Sequence, residues 1–394
     1  MVTVGIYNLY WTTYGGGEQV SAAIAEHLIG SGHRVVLFGP EPVDTDAMLS
    51  RLGRDLVGCE HRRVRDDDEA SAASADVDLF VNGTYLSRAV NRAPVGLYYV
   101  HFPGVPPSAR RRRADAVARA GLAVLDRPEH LSGPLEGVRA GLRRRRIDHG
   151  WTTSYERFLA NSRFTADWID RLWGVPAEVL HPPVQMSPTT TRGDQRVLSI
   201  GRFFDPSFGH CKKQDVLMGA WERMEHAGLV DEWSFEMIGG ADGASREYVL
   251  DLRRRARDLR VDVRVNAPRQ VLTEALSSAS FLWHAAGHGE DPIAHPDRFE
   301  HFGIAVVEAM SAGIIPLVYA EAGPAEIVRD GIDGRWWGTM DELTEVTEEL
   351  IADDAARQVM SRAAAERATE YSSSAFATAF DSALASARVS APSA

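Results

Sequence analysis

The stretch Phe299–Tyr319, F-E-H-F-G-I-A-V-V-E-A-M-S-A-G-I-I-P-L-V-Y, restricts the possible folds more than any other part of the chain. Ile304, Ala305, Val306, Val307, Ala309 and Met310 put apolar side chains on every face of a helix, which predicts a helix buried all round. Glu308 sits in its middle. A buried carboxylate without a partner is costly, so Glu308 must meet hydrogen-bond donors or face a cavity. Gly313 closes the helix, and Ile314–Tyr319 reads as a buried, parallel strand. Glu300 lies just before the helix, with seven residues between it and Glu308. A helix start aimed into a cleft offers free N–H groups and a positive dipole end, which suits a phosphate. With a hydroxyl-binding carboxylate on either side, Glu300, Phe302, Gly303, Ile304 and Glu308 predict a sugar-nucleotide site.

Strand and helix patterns alternate on both sides of this stretch. Val2–Leu9 reads as a strand, Tyr14-Gly15-Gly16-Gly17-Glu18 as a glycine loop, then a helix to Leu28 and a strand over Arg34–Phe38. That order opens a doubly wound domain. Gly16 and Gly17 allow close backbone approach of a ligand at a helix start, although a tight strand-to-helix turn needs the same residues. The loop lacks the G-x-G-x-x-G dinucleotide fingerprint, which disfavours a dehydrogenase. Further strands are expected at Asp78–Val81, Val95–Val100, Phe158–Ser162 and Glu178–Leu180. His101 follows the second of these, at a carboxyl end where open α/β sheets bind ligands; a structural role fits a lone His equally. A second alternation begins at Arg196–Gly201 and continues through Trp233–Ile238, Val261–Val265 and Phe281–His284. Arg202 at a strand end and Lys212 at a helix start can grip a diphosphate from two sides.

The Glu, seven residues, Glu spacing with its internal Phe-Gly, together with the apolar helix and the turn Ala322-Gly323-Pro324-Ala325-Glu326-Ile327-Val328, resembles the retaining GT-B glycosyltransferases of family 4, the glycogen synthase and mannosyltransferase-like group 1. The segment A-N-S-R-F-T-A-D-W-I…W-G-V-P-A-E-V-L-H-P-P-V is similar to the end of that family's first domain. The resemblance implies two Rossmann-like domains facing a cleft: 1–184 for the acceptor, a hinge over 185–195, and 196–371 for the donor, with a C-terminal helix in 372–394 crossing back. It implies that Gly16 and Gly17 lie beside the donor phosphates and that His101 contacts the donor sugar. Arg202 and Lys212 would neutralise the leaving diphosphate, Lys212 being favoured over Lys213. Glu308 would bind the ribose hydroxyls and Glu300 the sugar, with Asn266–Arg269 at the nucleobase. The implied activity is transfer of a hexose from a UDP- or GDP-sugar to a glycan, lipid-linked or natural-product hydroxyl. No cofactor or metal is required if the two cations neutralise the leaving group.

The chain has 394 residues and is 44% hydrophobic, enough for two substantial cores. Its two cysteines, Cys59 and Cys211, give no disulfide framework and suit a reducing cytosol. No apolar run approaches the roughly 20 residues of a spanning helix, so a cytoplasmic protein is expected. Net charge is −12, which argues against a nucleic-acid partner. Arginine runs at Arg110–Arg113 and Arg143–Arg146 read as solvated faces, or as an acceptor lip or a contact with anionic membrane at the inner face.

Other readings predict different outcomes. A glycoside hydrolase using Glu300 and Glu308 would leave Arg202 and Lys212 without a task. A nucleotide-sugar epimerase of the same architecture would need no acceptor, and a non-catalytic binding protein would show no turnover. The loop with His284, His288, Glu290, Asp291, His295, Asp297 and His301 has zinc-ligand residue types, but its glycines and prolines prevent presentation from one helix face. A polar loop closing over the sugar is expected there instead.

Overall fold

The structure, a computed structural model, describes residues 1–125, 138, 142, 148–188, 194–209 and 211–390. Its first sheet has seven strands: β1 (Thr3–Tyr7), β2 (Arg34–Gly39), β3 (Glu60–Arg63), β4 (Leu79–Asn82), β5 (Val95–Val100), β6 (Arg157–Ala160) and β7 (Glu178–Val179). They run in the order β3-β2-β1-β4-β5-β6-β7, every pair parallel. The second sheet has six: β8 (Arg196–Ile200), β9 (Ser234–Gly239), β10 (Val261–Val265), β11 (Phe281–His284), β12 (Ile315–Tyr319) and β13 (Arg335–Trp337), ordered β10-β9-β8-β11-β12-β13 and again parallel. Parallel pairing forces each connection across a face of the sheet, so both faces are covered and the strands read as continuous apolar runs.

Alternate residues of one strand therefore serve two cores. Phe281 and Trp283 join Trp221, Phe235 and Leu317 on one face of the second sheet. Leu282 between them joins Val306, Met310 and Val318 on the other. In the first sheet Val4 and Ile6 face a core with Ile24 and Leu97, while Tyr7 faces Phe38, Phe80 and Phe158. The C-terminal helix Ser373–Ser390 returns to the first domain, where Phe376, Phe380 and Leu384 enter the core of Val4 and Ile24. The two passages between domains run side by side, with the Val184 amide donating to the Tyr371 carbonyl at 2.8 Å.

Two strands escaped the sequence reading. β3 is E-H-R-R at the edge of its sheet, with no apolar side chain, and β13 has three residues. Ala109–Leu125 forms a helix that buries Asp115, Ala118 and Leu122. Arg143–Arg146 lies outside the described residues, as does Ile147, so the helix face drawn through Val138, Leu142 and Ile147 is not described. Among the described residues no helix is long and apolar enough to cross a membrane.

Candidate functional site

The carboxyl ends of the two sheets face one another, and a helix start from each domain meets there. The helix Gly16–Gly30 begins opposite the helix Ile304–Ser311. They approach so closely that a Cβ on Gly16 would lie 2.9 Å from Ile304 Cδ1. Gly303 caps the second helix with φ +117, a backbone conformation that favours glycine. The first amides of both helices, Gly16 and Gly17 on one side and Ile304 and Ala305 on the other, have no acceptor among the described residues. Two positive helix ends with free N–H groups across one gap can accept an anion.

The first-domain wall is fixed by local hydrogen bonds. The Glu18 carboxylate accepts from the Gly15 amide at 2.8 Å and from the Thr13 hydroxyl at 2.5 Å, which holds the glycine loop in shape. A Cβ on Gly17 would lie 3.1 Å from His101 Nε2, so the histidine abuts the loop. His101 Nε2–H donates to the Gly83 carbonyl at 3.0 Å. Burial lowers the His101 pKa against the pull of that carbonyl and of Glu18, which keeps the ring neutral.

The second-domain wall carries the charges. Lys212 Nζ forms an ion pair with the Glu300 carboxylate, and His284 Nε2–H donates to the same oxygen at 3.3 Å. Burial pushes the Glu300 carboxyl up, but Lys212 and His284 outweigh it and hold the group well below the usual carboxylate range. Gly201 makes room for this lysine: a Cβ there would lie 2.8 Å from Lys212 Cγ. The neighbouring Lys213 turns away, held by Glu290 at 2.5 Å, and Glu290 also takes Arg298 at 2.9 Å. That divergence places Lys212, not Lys213, beside Glu300.

Arg202 is exposed, its guanidinium over the Phe204 ring at 4.7 Å, and it has no carboxylate partner among the described residues. Glu308 is partly exposed, and its carboxylate accepts no hydrogen bond among the described residues. Of the two ways to accommodate it, hydrogen-bond donors are therefore not found among the described residues. Burial pushes its carboxyl up to about 7, with Arg269 pulling the other way. Phe302 is buried, stacked on His181 with ring centroids 5.5 Å apart.

Charge reasoning overlooked the residues that join these walls. Glu326 accepts from the amides of Arg163 and Phe164, and His301 stacks on Phe102 at 3.9 Å between centroids. The Asn161 side chain donates to the His101 carbonyl at 2.9 Å, and His181 Nδ1 meets the Asn161 carbonyl at 3.0 Å. These contacts join positions from 20 to 163 or more apart in sequence, and such pairings leave no periodic signal. The candidate zinc ligands disperse: His288 lies against Tyr319 and Trp337, Glu290 holds Lys213, and His301 meets Phe102. Among the described residues no three His, Cys, Asp or Glu side chains converge.

Two Rossmann-like domains with opposed helix ends in the cleft between them define a GT-B architecture. Residues 191–367 match the family described as glycosyl transferases group 1, so this part of the chain is similar to that group. It is 28% identical over 241 residues to a GDP-Man:Man(3)GlcNAc(2)-PP-Dol alpha-1,2-mannosyltransferase of Dictyostelium discoideum, covering 56% of this chain and 45% of that protein. It is 27% identical over 207 residues to a D-inositol 3-phosphate glycosyltransferase of Mycobacterium ulcerans, covering 50% and 41%. The chain thus spans less than half the length of these curated relatives. Anabaena HepE, solved in complex with UDP and glucose, shares the fold at a TM-score of 0.66 and 14% identity, over 98% of this chain and all of that one.

Proposed function

We propose that the protein transfers a hexose from a nucleoside diphosphate sugar to an acceptor hydroxyl, with retention of anomeric configuration. The observation that carries this reading is the meeting of the Gly16 and Ile304 helix starts beside the Lys212–Glu300 pair. The diphosphate lies between the helix ends, and Arg202 and Lys212 neutralise the charge that grows as it leaves, a preorganised electrostatic stabilisation. Glu308 accepts from the ribose hydroxyls, and Glu300 and neutral His101 bind the sugar. The acceptor oxygen bonds to the anomeric carbon on the face from which the diphosphate oxygen departs. Its proton passes to that departing oxygen, so no enzyme nucleophile is needed. Domain closure excludes water as a competing acceptor.

The donor is UDP- or GDP-linked, and the names of the mannosyltransferase relatives make GDP-mannose the first to try. The acceptor is a glycan, a lipid-linked sugar or a small molecule. Arg110–Arg113, all exposed at the start of their helix with Val117 and Val124 exposed further along it, suit a peripheral contact with anionic lipid. The test is a panel of nucleotide-sugars with purified protein, read by calorimetric binding and by nucleotide release. Binding of one donor with release that accelerates when acceptor is added supports transfer. No binding of any donor at millimolar concentration overturns it, and epimerisation without acceptor replaces it.

A further inference from the structure

The turn after β12 reaches out of its own domain. Glu326 stands near the end of the short helix Ala322–Ile327, and its two carboxylate oxygens accept from the backbone amides of Arg163 at 2.8 Å and Phe164 at 2.6 Å. Those amides are the first two of the helix Arg163–Trp173 in the other domain. A helix leaves its opening N–H groups without internal acceptors. Ser162, the cap residue, takes only the Thr165 amide, at 3.1 Å. A carboxylate at that end meets both unfilled donors and the positive dipole end, so one side chain completes a helix that belongs to the opposite domain.

The same turn is locked to the candidate sugar site. The Gly323 amide donates to the Glu300 carbonyl at 3.0 Å, and a Cβ on Gly323 would lie 2.4 Å from Phe302 Cα. On the first-domain side, Asn161, two residues before Arg163, holds the His101 carbonyl. Glu326 thus joins the segment carrying Glu300 to the segment that fixes His101. The His301–Phe102 stack lies alongside as a second bridge.

We infer that Glu326 is a positioning residue which clasps the two domains by capping the helix Arg163–Trp173, and so sets His101 against Glu300. This rests on the transfer reading for its catalytic consequence but not for the clasp itself. Two variants break the same contact from opposite domains. Glu326→Ala removes the acceptor. Arg163→Pro removes one donor, and proline is well tolerated at the first helical position, where Ser162 before it is already extended. Arg163→Ala, which keeps the amide and gives up only the exposed Arg163 Nε–Glu326 pair at 3.7 Å that Arg163→Pro also loses, is the control.

Small-angle scattering without ligand is expected to give a larger radius of gyration for Glu326→Ala and Arg163→Pro than for wild type and Arg163→Ala. With donor and acceptor, both clasp variants should bind donor within about 2-fold of wild type and lose on the order of 10-fold in kcat for transfer. Their ratio of donor hydrolysis to transfer should rise, and the double variant should be no worse than either single one. Unchanged dimensions in both variants, or a wild-type ratio of hydrolysis to transfer with donor bound, overturns the clasp. Failure of wild type to bind any donor counts instead against the transfer reading, and leaves the scattering result to decide the clasp.

Discussion

Lys212 and Glu300, 88 positions apart in sequence, form an ion pair in the cleft, and His284 shares the same carboxylate oxygen at 3.3 Å. On the proposed transfer reading, a diphosphate entering beside the Ile304 helix would compete with Glu300 for the ammonium and free the carboxylate for sugar hydroxyls. Lys212→Ala should therefore lose on the order of 100-fold in turnover, the usual scale for one preorganised donor. It also leaves the half-buried Glu300 beside His284 alone, so its carboxyl pKa should rise. Titration of that carboxyl by NMR and steady-state transfer rates check both effects, and wild-type turnover would remove Lys212 from the mechanism.

Arg202 and Lys213 separate cleft chemistry from scaffolding. Arg202 is exposed with no carboxylate partner among the described residues, so Arg202→Ala should cost little in Tm and about 100-fold in turnover. Lys213 is spent on Glu290, and both side chains are largely buried. Lys213→Ala should lower Tm by several degrees by leaving Glu290 to Arg298 alone, with kcat close to wild type. Thermal melts and initial rates on the two variants decide the assignment.

Glu308 predicts a pH dependence of donor binding. Its folded carboxyl titrates near 7 against an ordinary value of 4.5, because burial disfavours the charge. The folded state therefore holds the proton more tightly than the unfolded chain. Below 4.5 the group is neutral in both states, and the ionisation penalty on folding grows as pH rises from there to about 7. Ribose hydroxyls donate best to the ionised form, so bound donor should lower this pKa and release a proton near neutral pH. Calorimetry in buffers of different ionisation enthalpy should detect that release, and Glu308→Gln should abolish it while stabilising the fold above pH 7. Proton release unchanged in the variant would place the ribose elsewhere.

The parallel strands were legible because burial on both faces makes them uninterrupted apolar runs, as in Val95–Val100 and Ile315–Tyr319. β3 was not, because an edge strand of E-H-R-R gains its place from pairing with β2 and not from its side chains. In the site, Glu300, Glu308, Arg202 and Lys212 stood out because charges beside apolar runs need a reason. Neither Glu326 nor the pairing of His284 with Glu300 could be read that way. One depends on two amides in another domain, and the other on the end of β11 meeting the segment before the Ile304 helix. Arg269, whose guanidinium reaches both the Arg51 carbonyl at 3.2 Å and Gln185 at 2.8 Å, likewise has no local sequence signature.

Gly16 offers the sharpest separation of closure from stability. It is the first helical residue of Gly16–Gly30, so alanine there fits the backbone and improves helix propensity by up to about 1 kcal/mol. Across the cleft, however, the new methyl would stand 2.9 Å from Ile304 Cδ1, closer than carbon atoms pack without one of them moving. Gly16→Ala should keep or raise Tm while transfer falls by roughly 10-fold, because the two helix ends can no longer close on the diphosphate. Valine lacks the Cδ1 atom, and Ile304→Val by itself costs about 0.5–1.5 kcal/mol in a packed core. The pair Gly16→Ala with Ile304→Val should therefore recover most of the transfer rate despite being less stable than Gly16→Ala alone. If the double variant transfers no faster than the single one, the contact between Gly16 and Ile304 does not set the closed state.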